Sequence, residues 1–122
     1  MARAEVIADE FGGPIAAVPW EQRSDALEGV ALVVNTTSLG MVGQPVLDIS
    51  LDKLPAGAIA ADIIYIPLET PFLAAARQRG NRTVNGLGML LNQGRPAWKA
   101  WFGVEPEVTP ALRAMIEGTI KI

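Results

Sequence analysis

The chain has 122 residues, enough for one domain with an ordinary hydrophobic core. It contains no Cys and no His, which removes disulfides, the commonest zinc and iron ligands and the commonest nucleophile and base pairings, so no metal site is expected. Ten Lys and Arg against 13 Asp and Glu give a net charge of -3, scattered along the chain, which argues against a nucleic-acid partner.

The first eleven residues lack the apolar stretch of a signal peptide. The longest apolar run, Ala56 to Leu68, is broken by Asp62 and falls short of the roughly 20 residues of a membrane span. A cytoplasmic domain with no membrane contact is the expectation. Residues 2–11 place Ala4, Ile7, Ala8 and Phe11 at helical spacing ahead of Gly12-Gly13, which predicts a helix with a glycine stop. "PIAAVPW" (14–20) suggests a short strand, and residues 21–27 a short helix closed by Gly29. "VALVVNTT" (30–37) has five consecutive apolar residues, the pattern of a central strand covered on both faces. Residues 51–54 suggest a helical turn, and "AIAADIIYIP" (58–67) a second buried strand ended by Pro67.

"TPFLAAARQRG" (70–80) predicts a helix with Thr70 as N-cap, Pro71 at its first position and Gly80 as stop. A short strand over 81–86, a helix beginning near Gly86 and a last Thr-Pro helix over 109–120 complete the chain. Strand and helix alternate without a repeat or dividing linker. The fold class is therefore α/β with a parallel sheet, in a single domain covering residues 1–122.

Ligands of open parallel sheets collect at the carboxyl ends of strands. There stand Asn35-Thr36-Thr37-Ser38, an amide and hydroxyl cluster that could bind a carboxamide or ribose, or could satisfy its own turn. Asp62 lies inside an apolar strand and needs hydrogen bonds or a cation; with no His or second carboxylate beside it, a structural anchor is favoured over a catalytic base. Tyr65 follows at the strand end. Gly86-x-Gly88 invites a phosphate-loop reading, but Leu91 occupies the place of the third glycine. In the helix after it, Leu87, Leu90, Leu91, Gly94, Ala97, Trp98 and Trp101 form the expected core stripe. Gly86, Met89 and Gln93 share another face, suited to a pocket wall or to solvent, and Pro96 predicts a bend near Gly94.

"VVNTTSLGM", "DIIYIPLETPFLAAARQRG" and "NGLGMLLNQGRPAWKAWFG" resemble, in this order and spacing, the C-terminal half of shikimate dehydrogenase. The resemblance implies a Rossmann-like three-layer domain, incomplete relative to the family, within an oxidoreductase that reduces 3-dehydroshikimate to shikimate with NADPH in aromatic amino acid biosynthesis. It places Thr36, Thr37, Ser38, Ile63, Gly86 and Met89 beside the NADP cofactor, and Tyr65 and Gln93 on the hydroxy-ring acid substrate. It assigns no catalytic residue here. By the resemblance, the family's glycine-rich pyrophosphate loop and its Asn-Arg-Thr segment for the 2'-phosphate precede the region matched here, and its Lys and Asp proton-transfer pair belongs to an N-terminal substrate domain, so none is expected among these residues.

Two expectations follow from the resemblance. The chain alone is catalytically silent and binds NADP weakly or not at all, and its open sheet edge favours a homo-oligomer. A relict binding or scaffold domain of the same fold is the alternative reading.

Overall fold

A computed structural model describes residues 2–120. Helix α1 (Ala2–Phe11) leads to two 3-10 turns, Trp20–Gln22 and Asp25–Leu27. Then come β1 (Leu32–Asn35), β2 (Ile59–Asp62), α2 (Pro71–Gln78), β3 (Arg82–Val84), α3 (Leu87–Phe102) and α4 (Pro110–Thr119). The strands form one parallel sheet in the order β1-β2-β3, with Asn35 level with Asp62 and Ala61 level with Val84. The α/β class and parallel sheet are as the alternation of elements requires.

Helix α2 crosses over from β2 to β3, and its local signals all operate. The Thr70 hydroxyl accepts the Leu73 N–H at 3.3 Å, Pro71 opens the helix, and Gly80 takes a left-handed φ of 87° just beyond it. Phe72, Leu73 and Ala76 then point into a core with Ala60, Leu54, Leu51 and Leu27. Asn81 ties the start of β3 to the entry of β2, its amide donating to the carbonyls of Pro55 (2.8 Å) and Ala58 (3.0 Å). At the surface, the Arg77 guanidinium bonds Glu69 at 2.6 Å and lowers its carboxyl pKa.

The covered face of the sheet carries Val33, Asn35, Ala60 and Asp62. The opposite face presents Leu32, Val34 and Val84, which remain 54%, 43% and 54% exposed. Among the described residues β2 is flanked on both sides and β1 on one only, so these residues do not themselves supply the two-sided cover expected for the "VALVV" strand. An apolar run reports that a strand can be covered on both sides, and it carries no information about which strand lies beside it.

Other boundaries also shift. Residues 14–20 form no strand, because Pro14 and Pro19 lack backbone donors and no described strand lies beside them. The helix expected over 21–27 is two 3-10 turns. Strand β2 stops at Asp62, since the Asp62 carboxylate takes the Ile64 N–H and turns the backbone out of the sheet.

Helix α3 runs unbroken through Pro96. The carbonyl of Asn92, which loses its helical donor there, belongs to an exposed residue that water can serve. Of the expected core stripe on α3 only Leu87 is buried; Leu90, Leu91 and Ala97 are half-buried, while Gly94, Trp98 and Trp101 are exposed. The periodicity marks one apolar face correctly, but among the described residues nothing covers its C-terminal half. No helix among the described residues is long and apolar enough to cross a membrane.

Candidate functional site

The carboxyl ends of β1 and β2 open into a pocket of about 300 Å³, within the lower range of small-molecule sites. Thr36, Thr37, Ser38 and Met41 form one wall, and Ile63, Ile64, Tyr65 and Ile66 form the other. Five residues singled out from the sequence, Thr36, Thr37, Ser38, Ile63 and Tyr65, thus share one cavity. Met41, Ile64 and Ile66 were not singled out. A signal for Met41 existed in Gly40, whose φ of 99° turns the chain back so that Val42 N–H reaches the Ile66 carbonyl at 3.2 Å.

The two walls differ in how they are built. Thr37 serves its own turn: its hydroxyl donates to Asn35 Oδ1 at 2.7 Å and accepts the Leu39 N–H at 3.1 Å. The side chains of Thr36 and Ser38 make no hydrogen bond among the described residues, so two hydroxyls are available to a ligand. The opposite wall is apolar apart from the phenol of Tyr65. Asp62 lies behind both walls, 2% exposed, and accepts from Ile64 N–H, Asn35 Nδ2 and the Thr70 hydroxyl. Its role is the anchor that the sequence favoured.

Gly86 lies outside the pocket lining but directly behind it. Its N–H donates to the Ile64 carbonyl at 2.9 Å. A methyl group at Gly86 would overlap the Ile63 carbonyl group and lie 2.8 Å from the Ile64 carbonyl carbon. The missing side chain is therefore required by the wall itself, which brings the start of α3 against Ile63. The phosphate-loop reading of Gly86-x-Gly88 gains nothing: Gly88 has φ in the ordinary range and faces Arg113. Met89 and Gln93 stand further along α3, both exposed, and do not line this pocket. Among the described residues no cluster of acidic side chains could hold a metal ion.

An apolar wall facing hydroxyls that have no protein partner among the described residues is compatible in chemistry with the nicotinamide end of a dinucleotide. Residues 86–116 match the family model described as the Shikimate 5'-dehydrogenase C-terminal domain. A shikimate dehydrogenase (NADP(+)) of Nitrobacter hamburgensis is 52% identical over all of this chain, which spans 43% of that protein.

Two solved structures superpose closely. Quinate dehydrogenase from Corynebacterium glutamicum, in complex with NAD, gives a TM-score of 0.80 at 30% identity over 96% of this chain and 42% of that one. Shikimate 5-dehydrogenase from Thermus thermophilus, in complex with NADP(H) and shikimate, gives 0.76 at 31% identity over 98% of this chain and 43% of that one. The chain thus spans under half the length of the relatives it matches. Over that span it is similar to shikimate dehydrogenases, and residues 86–116 match the model of their C-terminal domain.

Proposed function

We propose that these 122 residues supply the nicotinamide-facing wall and part of the substrate wall of an NADP-dependent shikimate dehydrogenase. The observation that carries this reading is the pocket at the ends of β1 and β2, where Thr36, Thr37, Ser38, Ile63 and Tyr65 converge. NADP(H), when bound, supplies or accepts the hydride. Ile63 offers it apolar surface, Gly86 holds Ile63 in place, the hydroxyls of Thr36 and Ser38 bond its polar groups, and Met89, outside the pocket, is added on family resemblance alone.

Tyr65 in the pocket and, on family resemblance alone, Gln93 outside it are assigned to the carboxylate and hydroxyls of the substrate. Among the eight pocket residues only the Tyr65 phenol and the hydroxyls of Thr36, Thr37 and Ser38 carry an exchangeable side-chain proton; we assign these to binding and leave proton transfer to groups outside this wall. The 122-residue polypeptide alone is accordingly expected to reduce no NADP+ with shikimate.

A chimera tests the reading. The matching 43% of the Nitrobacter hamburgensis enzyme is replaced by this chain, and shikimate-dependent NADP+ reduction is followed. The chimera is expected to be active. Within it, Tyr65→Phe and Gln93→Ala should each raise KM for shikimate about tenfold, the loss of roughly one substrate hydrogen bond. Met89→Ala should instead raise KM for NADP+. A chimera that folds with the melting temperature of its parent yet shows no activity would refute the reading, as would activity in the isolated chain.

A further inference from the structure

Asp62 is the one buried carboxylate among the described residues, and the proposed wall makes no direct use of it. A carboxylate out of water is costly unless its lone pairs are all met. Here every partner is a donor: Ile64 N–H to Oδ1 at 3.0 Å, Asn35 Nδ2 to both oxygens at 3.2 and 3.3 Å, and the Thr70 hydroxyl to Oδ2 at 2.7 Å. The direction of the last bond follows from the carboxylate, which only accepts, so the Thr70 hydroxyl donates to it while its oxygen takes the Leu73 N–H.

Asn35 carries the connection onward. Its Nδ2 also donates to the Leu39 carbonyl at 3.0 Å, and its Oδ1 accepts the N–H and the hydroxyl of Thr37 at 3.0 and 2.7 Å. One line of hydrogen bonds therefore runs from Ile64, between Ile63 and Tyr65 on one wall, through Asp62 and Asn35, to Thr37 and Leu39 on the other. Residues 35 and 62 stand level in the sheet, so the line crosses at the rim of the pocket.

We propose that Asp62 is a positioning residue for the pocket: by holding Ile64 N–H and Asn35 together, it fixes the separation of the 36–41 and 63–66 walls. Its catalytic consequence rests on the function proposed above. Its structural consequence does not, and is measurable in the 122-residue protein.

Asp62→Asn keeps the volume. Its amide oxygen can retain Ile64 N–H, while its amide nitrogen, a donor, then stands where Oδ2 received Asn35 Nδ2 and the Thr70 hydroxyl. Amide hydrogen exchange, read residue by residue by NMR, should quicken about tenfold at Thr37 and Leu39, the effect of losing roughly one hydrogen bond, although neither residue touches position 62. The amides of β2 and β3 should keep their rates. Unchanged exchange at Thr37 and Leu39, or a uniform rise across the chain, overturns the proposal.

If Asp62→Asn does not fold, Thr37→Val reads the line from its other end. Loss of the Thr37 hydroxyl should quicken exchange at Ile64, and an unchanged Ile64 overturns the proposal equally. In the active chimera, Asp62→Asn should lower kcat about 10- to 100-fold, as misplaced walls would, with KM for NADP+ changed less than about threefold. An inactive parent chimera would count against the proposed function, while the exchange data would still decide the role of Asp62.

Discussion

Gly86→Ala is expected to cost the chain about 3 kcal/mol or more, or to prevent folding, because the new methyl would occupy the space of the Ile63 carbonyl group. The obstacle is main chain, and it belongs to the segment that leaves β2 to form the pocket, so no rotamer change can relieve it. The φ of -74° at Gly86 is one any residue adopts, so the penalty would come wholly from overlap. Gly94→Ala in the same helix is the internal comparison. A methyl at Gly94 meets nothing within 4 Å, and the substitution should stabilise by about 0.5 to 1 kcal/mol through helix propensity alone. Thermal melts of the two variants should move in opposite directions. If Gly86→Ala melts within a few degrees of the parent, α3 does not rest on the Ile63 carbonyl as described.

Leu87→Ala should destabilise by about 2 to 5 kcal/mol, the range for emptying a fully enclosed leucine site. Leu87 has 0% exposure and is the single buried residue of α3, so the loss falls on the attachment of that helix. Urea unfolding should show a lower midpoint with an unchanged slope. Leu91→Ala, one turn on and half-buried, should cost less than half as much. Equal losses at the two positions would mean that α3 is held along its length and not at its first turn.

These residues also indicate how far the sequence could be read. Helix α2 was legible end to end, because Thr70, Pro71 and Gly80 act on their own backbone neighbours and need nothing distant. Strand β1 was legible as a strand, whereas which strands lie beside it was not, since the side-chain pattern of "VALVV" is the same at an edge as at the centre. "PIAAVPW" has apolar residues enough for a strand, but two of its seven residues are prolines without an N–H and no described strand lies beside it. In α3 the 3.6-residue period located an apolar face, yet period alone does not specify that a face is covered.

The site divides along the same line. That Thr36, Thr37, Ser38, Ile63 and Tyr65 meet followed from their places at the ends of parallel strands. That Asp62 needs partners followed from its apolar surroundings, whereas the identity of Asn35, 27 residues away, depends on strand register. Gly86 reads in the sequence as half of a phosphate-loop pattern and, by resemblance, as a neighbour of the cofactor; its close approach within the chain is not legible there. The object approached is the carbonyl of Ile63, a neighbour that only the crossover from β2 through α2 to β3 brings there. Met89 and Gln93, on the exposed part of α3, rest on family resemblance.

The open apolar face of α3 also determines what light can report about this protein. Its three tryptophans, Trp20, Trp98 and Trp101, are 50%, 49% and 75% exposed, and none belongs to the buried core. Their emission should lie toward the red end of the indole range in the folded chain and shift little when the core melts. Whatever comes to cover Trp98 and Trp101 would move it to the blue, so the intrinsic fluorescence of this chain is a gauge of contact at α3, and circular dichroism the gauge of its folding.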